Sequence, residues 1–174
     1  MHAEGITPTV EQAAQRADIA RTTAYRYFAN QDALLLATYP ELDEVSLLGS
    51  DPPADLAARL DIVTEKVTRQ ILDHEPELRA TLRLALGSAA AKTDGLPLRQ
   101  GRVIRWLEDA LSPLEGKLPE AEIHRLILAI RVSIGIEALV WLTGVGRQSR
   151  TEAVATMRWS AQALLRTALR DVSE

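Results

Sequence analysis

The sequence predicts an all-α fold. Three observations carry that expectation. Apolar residues recur at spacings of three and four along most of the chain, which is the helical period. No stretch alternates apolar and polar residues as a half-buried strand would, and no internal repeat or low-complexity tract interrupts the pattern. Proline, glycine and capping residues fall between the periodic stretches, where helices start and stop.

The first element is short. Val10, Ala13, Ala14 and Ala17 lie at i, i+3, i+4 and i+7 and make one small apolar face. Thr9 and Gln12 form a capping box behind Pro8. Asp18 suits a tight turn because Asp tolerates the left-handed conformation. Ile19 is expected to plug the angle between this helix and the next, Arg21 to Phe28. The outer side of that second helix carries Arg21, Thr22, Tyr25 and Arg26, all able to donate hydrogen bonds to DNA. Asn30 is expected to cap a third helix anchored by Leu34 to Leu36, and Tyr39-Pro40 should end it. Two helices and a tight turn of this kind make a helix-turn-helix.

Further on, Asp51-Pro52-Pro53 opens a helix running to about Asp73, with Leu56, Leu60, Val63, Val67 and Ile71 as its buried stripe. Glu75-Pro76 opens the next, with Leu78, Leu82, Leu84 and Leu86 apolar and an end near Ala91. Pro97 to Leu114 follows, turning Val103, Leu107, Ala110, Leu111 and Leu114 inward before Pro113 and Gly116 stop it. One long helix is expected from Pro119 to Thr143. Its Leu126 to Leu142 run is almost wholly apolar, so it should be buried on nearly every side. It is not expected to span a membrane, because Arg131 and Glu137 interrupt a run already short of the roughly 20 residues required. After Gly144-Val145-Gly146 the last helix runs from Thr151 to Val172, with Val154, Met157, Ala161, Leu164, Ala168 and Val172 on one stripe.

Composition narrows the function. The chain has 174 residues, 47% hydrophobic and 25% charged, enough for one or two compact domains with a real core. Without cysteine there is no disulfide framework, thiolate chemistry or cysteine-based metal site. No basic-then-apolar leader is visible, so a cytoplasmic location is expected. The histidines are His2, His74 and His124, and no metalloprotease, nucleophile-elbow or phosphate-loop motif is present. His74 and His124 are expected near helix ends, facing solvent. The expectation is therefore no enzyme, no cofactor and no metal. A net charge of −4 argues against indiscriminate nucleic-acid binding. Within residues 1–40, Arg16, Arg21 and Arg26 face Glu4, Glu11, Asp18 and Asp32.

Polar residues in the apolar helix form a second candidate site. Ser133, Glu137 and Trp141 are four apart and share a face of the expected helix, with Arg131 on another. Glu137 either pairs with an arginine across helices, at an interface between two copies, or lines a largely apolar effector pocket with Ser133 and Trp141. Trp106 is a further candidate wall for that pocket, or a core residue.

The N-terminal stretch resembles the TetR family of bacterial repressors. The residues carrying the resemblance are Ala17-Asp18-Ile19-Ala20 in the turn, Tyr25-Arg26-Tyr27-Phe28 at the end of the recognition helix, and Asn30-Gln31-Asp32-Ala33-Leu34 at the start of the third. Residues 119–172 are similar to the family's last two helices, which pair with their copies from a second subunit. Three positions depart from the family pattern. Asp18 stands for the turn Gly. Ala20 stands for the Ser/Thr cap, at a cost of about 1 kcal/mol. Gln31 stands for a Lys, which makes a charged phosphate contact neutral. The family also carries a helix before this point, whereas Met1 to Gly5 alone precede the loop here, with His2-Ala3-Glu4-Gly5 like the tail of that helix. The chain is thus expected to be an N-terminally short member, through a late start site or trimming rather than a real loss, and to bind operator DNA weakly.

The resemblance implies a helix-turn-helix DNA-binding domain over residues 1–40 and an effector-binding and dimerisation domain over 41–174. It implies a cytoplasmic homodimer, paired through residues 119–172, that represses transcription at a pseudo-palindromic operator until a small apolar effector releases it. Arg21, Thr22, Tyr25 and Arg26 would approach base edges, and Thr23, Tyr27 and Gln31 would hold phosphates. The competing expectation is a dimeric ligand-binding or protein-interaction module without DNA binding, which the acidic balance favours and the retained recognition helix opposes.

Overall fold

The computed structural model describes residues 8–30, 34, 45–87 and 101–171. Its described helices are α1 (Val10–Arg16), α2 (Arg21–Tyr27), α3 (Leu56–Asp73), α4 (Glu75–Gly87), α5 (Gly101–Leu111), α6 (Glu120–Ser133), α7 (Ile136–Gly144) and α8 (Arg150–Asp171), with a 3-10 turn at Ser112–Leu114. No strand occurs among the described residues, as the sequence pattern requires of an all-α fold. The chain divides into two compact units: Met1–Asp43 with His74–Gly95, and Glu44–Asp73 with Leu96–Glu174.

In the first unit the capping box at α1 is formed in full. Thr9 N donates to Gln12 Oε1 at 2.9 Å, and Gln12 N donates to Thr9 Oγ1 at 3.2 Å. Asp18 takes the left-handed conformation, φ +53°, which reverses the chain within a few residues. α2 starts at Ala20 without a side-chain cap, as expected of that residue. Val10, Ala14, Ala24 and Leu34 form a small buried core, with Ala13 and Phe28 packed against it. Ile19 does not plug the angle between α1 and α2. It is 43% exposed, because the small side chains of the two helices close on each other without it. Ala17, expected on the apolar face, ends α1 as its C-cap and is exposed. Gln31, Leu35, Leu36 and the expected helix end near Ala91 lie outside the described residues.

In the second unit α3 packs against α5 and α8, and α8 against α6 and α7. Four of the five residues expected on the α3 stripe, Leu60, Val63, Val67 and Ile71, are buried, and Leu56 at the start of the helix is half-buried. The helix begins later than Pro52-Pro53, because Asp55 is its cap and accepts from Ala58 N at 2.8 Å. Arg158 reaches from α8 to Asp61 on α3, with Nη2 2.8 Å from both carboxylate oxygens.

Two expectations fail here. The helix expected from Pro119 to Thr143 is two helices, α6 and α7, bent by 43° at a break. Ile134 leaves helical geometry (φ −115°, ψ 10°) and Gly135 is extended (φ −82°, ψ 171°). Among the described residues no single helix is long and apolar enough to cross a membrane. The buried stripe of α8 is offset from the expected one. Ala153, Met157, Ala161 and Leu165 are buried, an i+4 row through Met157 and Ala161, whereas Val154, Leu164 and Ala168 are half-buried. Val172 lies outside the described residues.

Candidate nucleic-acid interface

α2 presents a polar face because its one buried residue, Ala24, holds the opposite face on the core. Arg21, Thr22, Tyr25, Arg26 and Tyr27 are exposed, and Thr23 is half-buried. The structure therefore brings together six of the seven candidate DNA contacts on one short helix, and the seventh, Gln31, falls outside the described residues. The face is organised by stacking. The Arg21 guanidinium lies 5.6 Å from the Tyr25 ring centre, and that of Arg26 5.5 Å from Tyr27. One acidic residue joins it: Glu11 of α1 forms an ion pair with Arg21 and accepts a hydrogen bond from Tyr25 Oη at 3.4 Å. In the sequence Glu11 counts only toward the charge balance, because the contact depends on how α1 and α2 meet.

The second set of candidate residues is not brought together. Trp106 is core, 3% exposed, on α5. Ser133 is half-buried and donates to Ile130 O at 2.8 Å. Glu137 and Trp141 lie on the surface of α7, beyond the break that separates them from Ser133. The shared face of Ser133, Glu137 and Trp141 needs a continuous helix, and the bend removes it. The same bend pairs Glu137 with Arg131, at 3.6 Å. Arg131 is the more buried partner, and its Nε has no hydrogen-bond partner. Two clefts of the second unit lie elsewhere. One, of about 490 Å³, runs between α6 and α8 past Arg125, Ala129, Trp159 and Leu164. The other, of about 560 Å³, lies beside the 3-10 turn and includes Glu108, Glu115 and the exposed His124.

No protein-family model matches the chain, and no solved structure matches it. The chain is similar to the HTH-type transcriptional repressor KstR of Rhodococcus jostii (strain RHA1), with 27% identity over 158 residues that cover 87% of this chain and 70% of the relative. A distant relative is thus a transcriptional repressor, which supports a regulatory role for this all-α chain.

Proposed function

We propose that the chain is a DNA-binding transcriptional regulator of the TetR type, a cytoplasmic homodimer that represses until a small, largely apolar effector releases it. The observation that carries this reading is the outer face of α2, where Arg21, Thr22, Tyr25 and Arg26 stand exposed above a buried Ala24. Similarity to a transcriptional repressor over most of the chain supports it. In this reading α2 enters the major groove, where arginine can donate two parallel hydrogen bonds to guanine. Thr23, Tyr27 and Gln31 hold the flanking phosphates. Pairing through residues 119–172 sets the spacing of two half-sites, and the effector favours the arrangement with the wrong spacing. Selection from random duplexes, followed by footprinting, tests the proposal. The expected product is a pseudo-palindrome, and Arg26→Ala should weaken binding to it by about 1–3 kcal/mol. Failure to enrich any sequence at low salt would remove the DNA-binding reading.

A further inference from the structure

Glu11 is not used in capping α1, where Thr9 and Gln12 form the box. Its carboxylate instead holds two outward-facing side chains of the neighbouring helix, the Arg21 guanidinium and the Tyr25 hydroxyl. All three groups are accessible. The side chains of Arg21 and Glu11 are 69% and 47% exposed, and Tyr25 is 39% exposed, so the cluster can open without unfolding the core beneath it. A carboxylate offers a guanidinium much the same paired oxygen acceptors as a phosphate does.

We propose that Glu11 is a built-in competitor of the DNA backbone, a counter-charge that occupies Arg21 and Tyr25 in the free protein and restrains sequence-independent binding. The inference rests on the reading of α2 as the DNA-facing helix. A phosphate that approaches Arg21 must displace one anion with another and meet the repulsion of the carboxylate it displaces. Arg21 therefore contributes less to non-specific affinity than a free arginine would.

The test is fluorescence anisotropy of the 174-residue chain on a labelled duplex of mixed sequence, titrated at several low salt concentrations. Glu11→Gln should tighten binding about two- to fivefold, the range of an exposed ion pair. It should also steepen the dependence of log K on log salt by about one. In an Arg21→Ala background the gain should vanish, since the effect passes through that side chain. A melting curve on each variant checks that the fold is kept. Unchanged or weaker binding by Glu11→Gln, with the unmodified chain binding, would overturn the proposal and leave the DNA-facing reading intact. A gain that survives Arg21→Ala would also overturn it, since Glu11 would then act as bulk charge. If none of the proteins binds any duplex at low salt, the reading of α2 fails and the inference falls with it.

Discussion

Arg59 is a charged side chain that folding has taken almost wholly out of water, at 8% exposure. It is held by the end of α5. Its Nε donates to Ala110 O at 2.9 Å, and its Nη2 donates to Asp109 O at 2.7 Å and to Ser112 Oγ at 3.3 Å. The last carbonyls of a helix lack intrahelical donors and carry partial negative charge. α5 has no basic residue in its own last turn, so α3 supplies one. Arg59→Met should cost about 2–4 kcal/mol, because the buried Ala110 carbonyl and two part-buried acceptors lose their donor at once. Chemical denaturation measures this, and a loss too small to resolve would show that water replaces the guanidinium. Glu152 is a smaller case. It accepts from Ser149 Oγ at 2.7 Å and from Ser149 N at 2.8 Å, and these bonds hold its carboxyl below the ordinary value of 4.5. A carboxyl with a lowered folded pKa stabilises above its unfolded value, and the contribution is lost as pH falls through the folded one. Glu152→Gln should therefore melt slightly below the unmodified chain at neutral pH and level with it in acid. A difference that persists or grows in acid would show that the effect is not ionic.

At the scale of elements, Gly135 stands at the break between α6 and α7. A Cβ there would strike Arg131 Nη1 and Glu137 Oε2, both far closer than van der Waals contact allows. The glycine thus leaves the space in which the ion pair forms across the bend. Glu137→Gln should cost about 1 kcal/mol, limited because the Glu137 side chain is 43% exposed. Gly135→Ala should destabilise by a similar amount at most, because both struck atoms are ends of flexible side chains that can move aside by giving up the pair. The double variant should be little worse than Glu137→Gln alone, since both changes break one contact. Denaturation curves that show full additivity would mean that the glycine serves something other than the pair. The capping box of α1 and its Val10–Ala14 face were legible in the sequence, because every partner lies within four residues. The start of α8 was legible in principle, since Ser149 and Glu152 form a second capping box, Ser-x-x-Glu, that the apolar pattern alone overlooks.

For the whole molecule, the second unit leaves several large apolar side chains in water. Val132, Trp141, Val145 and Trp159 are 72%, 59%, 67% and 66% exposed. Such exposure marks association where it is contiguous, and Trp141 and Val145 lie one turn apart at the end of α7. In the proposed homodimer, pairing through residues 119–172 would cover them. The chain should sediment as a dimer at micromolar concentration, and Trp159→Glu should shift it to monomer without lowering the melting temperature of the monomer itself. A monomer for the unmodified chain would sink the pairing. Trp159 was invisible to the stripe pattern, which looks for residues that turn inward.

Consecutive residues were enough to define the helical class, the short paired helices at the front and the polar face of α2. Each rests on local preferences or on the 3.6-residue period, and both are written in consecutive residues. Tertiary structure alone decided that Glu11 meets Arg21 and Tyr25, that Arg59 closes α5 and that Arg131 meets Glu137. It also left Ile19 outside the core it was expected to fill. These outcomes depend on the angle between elements and on which side chain reaches a given space first. A one-dimensional pattern holds the period of a helix, but the rotation and crossing of its neighbours are settled only when the side chains pack.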